Sequence, residues 1–273
     1  MVPQILLILF IIGMLFSWPG CSDRHPAQSA PAATAQNSIT AAVCPGFEEV
    51  RAQHIFGVLL DRSGSVLDKY KGLALQTRND LKNLIHFLPT ETFIFGRYIA
   101  GDSYSDSERI FDDVIPAVPG QTDCATTNPF DIAQKLKCRK VKFHYETRLK
   151  CVDTARARIE DSFESLAPER SRYTDIWGAI TAVEEIFAAY RMQLRELIIY
   201  SDLDDNVRKK LPEHMGGFQG VRVIVRSFRI DDRQKADRLL NNFTQVLGKW
   251  GAEVSRLPME KSWRDVFNPV AKF

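Results

Sequence analysis

Three observations on this 273-residue sequence predict an α/β fold with a doubly wound, mostly parallel central sheet flanked by helices. Short apolar runs alternate along the chain with longer stretches of helical spacing, the pattern of strands joined by right-handed helical crossovers. The run ELIIY, 196–200, is apolar without alternation, as in a strand covered on both faces. Apolar residues make up 45% and charged residues 26%, ordinary values for a folded domain. They exclude a disordered chain, a collagen-like chain and a multi-span membrane protein.

The N-terminal residues read as an address. Ile5 to Trp18 is an uncharged run of 14 residues, short of the roughly 20 that span a bilayer. It matches the apolar core of a secretory signal, although no Lys or Arg precedes it. Trp18-Pro19-Gly20-Cys21 follows and resembles a bacterial lipobox in Gly20 and Cys21, while Trp18 and Pro19 depart from that pattern. The resemblance implies lipidation at Cys21. An uncleaved anchor and an ordinary cleaved signal are the alternatives, and each puts the body outside the cytoplasm. Ser22 stands where Asp would favour inner-membrane retention, so the expected location in a Gram-negative cell is periplasmic, on the outer membrane. Residues 1–21 are thus assigned to the signal. Residues 22–43, rich in Ala, Pro, Ser, Thr and Gln, form a flexible linker, and 44–273 form one domain.

Within that domain HIFGVLL, 54–60, is the first strand. Val66, Tyr70, Leu73, Leu81, Leu84 and Leu88 mark a helix that Pro89 ends. ETFIFGRYI, 91–99, and 110–115 are strands. Helices follow at about 152–166 and at 175–191, the latter with Ile176, Ile180, Val183, Phe187 and Tyr190 on one face. Strands 196–200 and 221–228 come next. A helix carries Leu239, Phe243, Val246 and Trp250, then a strand covers 252–257 and a short helix 262–268.

One constellation carries chemistry. The first strand runs into Asp61-Arg62-Ser63-Gly64-Ser65, at the carboxyl end where open parallel sheets bind ligands. Asp61, Ser63 and Ser65 alternate, so one turn can aim all three at one point. Their oxygens are hard donors suited to Mg²⁺. Ser63 or Ser65 as a simple helix cap is the competing reading, and it leaves Asp61 unexplained. Arg172-Tyr173-Thr174-Asp175 leads the 175–191 helix, and Ser201-Asp202 ends the strand 196–200.

This ordered set resembles the von Willebrand factor A (vWA) family and its metal-ion-dependent adhesion site, over roughly residues 50–271. The resemblance implies one antiparallel edge strand at 110–115. It implies Mg²⁺ (or Mn²⁺ or Ca²⁺) held directly by Ser63 and Ser65, with Thr174 direct or through water. Asp61 and Asp202 would act mainly through bound waters. A partner protein's Asp or Glu would complete the coordination. Asp175, Asp204 and Asp205 lie nearby and read as solvated loop acids or helix N-terminal charge.

The expected class is a binding module, not an enzyme. The chain has no Gly-rich phosphate loop, no GxSxG elbow and no telling Cys–His spacing. DRSGS lacks the second Asp of an aspartyl-phosphate phosphatase. A Mg²⁺-dependent phosphoryl-transfer enzyme and a metal-free scaffold stay open as alternatives. The net charge of +2 gives no global case for nucleic acid, and none is expected as a partner.

Residues 117–151 read as an insertion. Its segment 135–150 holds seven Lys or Arg against one Glu, with Phe143 and Tyr145 interleaved. It reads as a solvated hairpin or as a docking patch for an anionic surface. An exported body permits disulfides among Cys44, Cys124, Cys138 and Cys151, which allow three pairings. With the edge strand that the vWA resemblance implies, the insertion lies at the sheet end opposite the metal site, and the pairing becomes Cys44–Cys151 and Cys124–Cys138.

Overall fold

The computed structural model describes residues 52–63, 73–103, 108–118, 131–164, 171–190, 192–207, 211, 213, 215–227 and 233–267. The signal and lipobox-like segment, the linker, Ser65, Cys44, Cys124 and the start of the first helix at Val66 lie outside the described residues.

The strands are β1 (His54–Asp61), β2 (Thr92–Ile99), β3 (Arg109–Ile115), β4 (Leu194–Tyr200), β5 (Arg222–Ser227) and β6 (Glu253–Pro258). The helices are α1 (Leu73–Phe87), α2 (Ile132–Glu164), α3 (Ile176–Ala189), α4 (Arg233–Lys249) and α5 (Arg264–Phe267). The six strands form one sheet in the order β3-β2-β1-β4-β5-β6. Only the edge pair β2–β3 is antiparallel; the other four pairs are parallel. This is the doubly wound Rossmann-type order, with chain direction reversing its winding between β1 and β4. The antiparallel edge strand is the one that the vWA resemblance implies.

Helices cover both faces because β1, β2 and β4 are apolar on both. Ile55 and Leu59 face a core with Ile180, Val183 and Phe187 of α3 and Phe243 and Leu247 of α4. Phe56, Val58 and Leu60 face a second core with Leu81, Leu84 and Ile85 of α1 and Val152, Ile159 and Phe163 of α2. Gly57 is required in β1, since a Cβ there would lie 2.6 Å from Cζ of Phe95.

The second core is pinned by a buried ion pair. Arg226 of β5 donates from Nε to Asp80 Oδ2 of α1 at 2.8 Å, and its Nη2 also pairs with Oδ1. The same Oδ2 accepts from the Tyr200 hydroxyl at 2.7 Å, and the Asp80 carbonyl accepts from Trp263 Nε1 at 3.1 Å. The remaining Arg226 donors reach carbonyls of Pro258 and Lys261. Burial, and then the Asp80 charge, hold the Tyr200 phenol well above its ordinary pKa.

The insertion departs from expectation. The helix expected from about 152 begins at Ile132, and segment 135–150 is helical, not a hairpin. Asp131 starts it, its Oδ1 accepting from the Gln134 amide at 2.9 Å. At 33 residues α2 is about 50 Å long, whereas the seven-residue β3 beside it spans about 24 Å. Its buried residues are Cys151, Val152, Ala155, Ile159 and Phe163, all in the C-terminal part.

That part is fixed on the body. Arg158 forms a forked pair with Asp113 of β3, at 2.6–3.0 Å. Arg156 donates to the Leu88 carbonyl, just beyond α1, at 3.1 Å. The Phe163 ring meets Phe111 with centroids 5.1 Å apart. Since α1 runs from the carboxyl end of β1 to the start of β2, α2 runs back antiparallel to it. Residues 132–150 therefore overhang the end of the sheet where β1 starts. Cys138 and Cys151 are 13 residues apart on this helix, about 20 Å, too far to bond to each other. Neither is a free thiol.

Candidate functional site

Three loops meet at the carboxyl ends of β1 and β4. The first leaves β1 at Asp61, whose side chain is buried. Asp61 Oδ1 accepts from the Ser63 amide at 2.8 Å, closing a tight turn. Its Oδ2 accepts from the Ser201 hydroxyl at 2.6 Å, across from β4. Register explains the contact: Leu60 pairs with Tyr200, so the next residues on each strand are Asp61 and Ser201. Arg62 turns away, pairing with Glu108 at 2.6 Å and stacking on the Tyr98 ring at 4.9 Å.

The second loop, 171–175, docks on the first. Ser171 donates its amide to the Arg62 carbonyl at 3.1 Å, and Ser63 and Ser171 form an isolated parallel bridge. The Asp175 amide donates to the Ala100 carbonyl at 2.8 Å. Thr174 is buried between these anchors.

The third loop, 201–207, is built by side chains that hold their own backbone. Ser201 Oγ accepts from the Leu203 amide at 2.9 Å, and Asp202 Oδ1 from the Asp204 amide at 3.1 Å. Leu203 has φ 61°, a left-handed conformation that costs a branched side chain on the order of 1–3 kcal/mol. Asn206 ties this loop to the second, its Oδ1 accepting from the Thr174 amide at 2.8 Å. The Asn206 amide in turn donates to the Thr174 carbonyl at 3.2 Å.

Asp61, Ser63, Thr174 and Asp202 are thus gathered on three loops that bond to one another. Ser65 lies outside the described residues. Burial pushes the Asp61 carboxyl from 3.8 up to about 6. Hydrogen bonds from the Ser201 hydroxyl and from the Ser63 amide and hydroxyl oppose that rise, and the nearby Asp202 charge adds to it. A buried carboxylate beside a second carboxylate favours a nearby cation. Carboxylate and hydroxyl oxygens are the donor chemistry of a hard divalent ion, so the residues present fit Mg²⁺, Mn²⁺ or Ca²⁺. Among the described residues no group of three or more His, Cys, Asp or Glu assembles. The candidate set contributes only Asp61 and Asp202 of those types, the other donors being hydroxyls.

Of the neighbouring acids, Asp175 takes the helix N-terminal role: it is buried and caps α3, accepting from the Gly178 amide at 2.8 Å. Gly178 is required there, because a Cβ would meet Asp175 Oδ2 at 2.1 Å. Asp204 pairs with Lys235 of α4, and Asp205 Oδ1 accepts from the Val207 amide at 3.0 Å. Sequence reasoning assigned no role to Ser201 or Asn206. The signal for Ser201 is its position one residue past an all-apolar strand; its link to Asp61 needs the β1–β4 register.

The fold is vWA-like in strand order and in its antiparallel edge strand. No family model and no curated protein matches the chain. Solved structures that align with it include a von Willebrand factor type A protein from Catenulispora acidiphila, at 10% identity and TM-score 0.40, covering 76% of this chain and 39% of that one. An aerotolerance-related membrane protein from Bacteroides fragilis aligns at 12% identity and TM-score 0.41, covering 80% of this chain and 97% of that one. Proximal thread matrix protein 1 from the mussel byssus, solved with a zinc-occupied MIDAS motif, aligns at 12% identity and TM-score 0.43, over 81% and 47%.

Proposed function

We propose that this chain is an exported, lipid-anchored vWA-like module that binds a divalent cation and uses it to grip a partner protein. The observation that carries the reading is the join of three loops around Asp61, above all the 2.6 Å hydrogen bond from Ser201 that links the ends of β1 and β4. Ser63, Ser65 and Thr174 supply hydroxyl donors. Asp61 and Asp202 supply negative charge and orient water around the ion. With mostly neutral direct donors, a bound Mg²⁺ stays electrophilic and accepts a carboxylate from a partner's Asp or Glu. The role is binding and not catalysis: DRSGS lacks the second Asp that an aspartyl-phosphate phosphatase places two residues on. Cys21 carries the lipid, residues 22–43 tether the domain to the envelope, and Cys44–Cys151 and Cys124–Cys138 are the disulfides.

Isothermal titration of the full chain in detergent micelles with Mg²⁺ and with Mn²⁺ tests the site. A single site is expected, and the double variant Asp61→Ala, Ser63→Ala loses it while its circular dichroism stays that of the parent. Undiminished binding by the double variant overturns the site assignment. The parent also retains its partner on beads in Mg²⁺ and releases it in EDTA. Metal-dependent hydrolysis of a phosphate ester that disappears with Asp61→Ala would instead favour a phosphoryl-transfer enzyme. In a bacterium fed a labelled fatty acid, the parent takes up label and Cys21→Ser takes up none. Label in that variant would displace the lipid from Cys21.

A further inference from the structure

The overhang of α2 has no role in the metal-site reading, and its surface is unusual. Ile132, Leu136 and Phe143 are 74%, 59% and 64% exposed. At about 100° per residue these three fall within about 40° of one another on the helix. The same count puts Ile159, which faces the core, about 180° away from Ile132. The apolar stripe therefore points away from the body. Exposed Lys135, Arg139 and Lys140 flank it. A solvated helix face has no need of three large apolar side chains, and a core-packing one has no place for the cations.

Charge names the occupant. Residues 132–150 overhang the sheet end at which β1 starts, and their seven Lys or Arg against one Glu complement an anionic surface. The candidate metal site lies at the opposite end of β1. We propose that the 132–150 half of α2 docks on an anionic phospholipid surface, with Ile132, Leu136 and Phe143 entering the acyl boundary and the flanking cations meeting headgroup phosphates. An apolar stripe set among cations is the composition of helices that lie in a membrane interface. No helix among the described residues is long and apolar enough to cross a membrane, so the contact is with the surface. The proposal is independent of metal binding.

The test uses the full chain with Phe143→Trp, reconstituted in EDTA into vesicles whose lipids carry bromine on their acyl chains. Quenching is read as the difference from the parent chain, which carries the other tryptophans. In vesicles containing phosphatidylglycerol, Trp fluorescence at position 143 is quenched; in phosphatidylcholine vesicles, or at high salt, it is not. Neutralising Lys135, Arg139 and Lys140 to Gln lowers the ratio of docked to undocked helix about a hundredfold and abolishes the quenching. All these side chains are exposed, so thermal melts of the variants superimpose on the parent. Absence of quenching in anionic vesicles, or quenching that survives the triple neutralisation, overturns the proposal. The first result leaves an acidic protein as the occupant. Because the readout contains no metal, it succeeds or fails separately from the Mg²⁺ titration.

Discussion

At Asp61 the protein bears the cost of a buried carboxylate. The folded chain holds the Asp61 proton more tightly than the unfolded chain, with a pKa of about 6 against 3.8. Metal-free stability therefore falls as pH rises through that window, by on the order of 3 kcal/mol from this group. In EDTA the Tm of the parent should drop between about pH 4 and pH 7 more steeply than that of Asp61→Asn, which cannot ionise. Parallel curves would remove the buried carboxylate as the cause. Ser201 gives a second prediction. Its hydroxyl donates to Asp61 and accepts from the Leu203 amide. Ser201→Ala leaves both without that partner, and should cost about 1–3 kcal/mol in urea denaturation and roughly 10–100-fold in Mg²⁺ affinity. Loss of stability with unchanged affinity would make Ser201 a structural residue only. The Asp61 turn was legible because DRSGS compresses its donors into five residues. The Ser201 role was not, because it depends on a register between strands about 140 residues apart, which no local pattern encodes.

Elements with a buried face were legible for the same reason. The core strands and α3 each bury a continuous face, so hydrophobic spacing located them to within a residue or two. The N-terminal half of α2 has no fully buried residue, so its helicity leaves no core-facing period to read. What specifies it is local: Asp131 at the cap, then Lys, Leu, Arg and Glu, all strong helix formers. The same division predicts its energetics. Ile159→Ala should destabilise by about 2–5 kcal/mol, since Ile159 is fully buried against α1 and the sheet. Leu136→Ala and Phe143→Ala should each stay within about 0.5 kcal/mol of the parent. Urea midpoints at a common slope distinguish the two outcomes. A large loss at Leu136 would mean that the overhanging half is packed after all.

Across the whole molecule, one carboxylate joins elements far apart in sequence. Asp80 binds Arg226, Tyr200 and, through its carbonyl, Trp263, so α1, β4, β5 and the C-terminal segment share it. Asp80→Ala strands the fully buried Arg226 guanidinium, and about 3–5 kcal/mol of stability should go with it. Arg226→Met in the same background should recover part of that loss, since the unpaired charge goes too. No recovery would locate the cost in the Tyr200 and Trp263 contacts instead. The disulfides are checked at this scale as well. Non-reducing peptide mapping should recover Cys44 linked to Cys151 and Cys124 linked to Cys138. A Cys44–Cys138 peptide would refute the pairing.

The position of β1 has a mechanical consequence. The strand runs from His54 at one end of the sheet to Asp61 at the other, and it is hydrogen-bonded on both sides, to β2 and to β4. A pull applied between His54 and Asp61 would run along the strand axis. Its parallel ladders, eight residue pairs with β2 and seven with β4, then carry the load in shear, all their bonds together. The same force directed across an edge strand such as β3 would open bonds one at a time, at far lower tension.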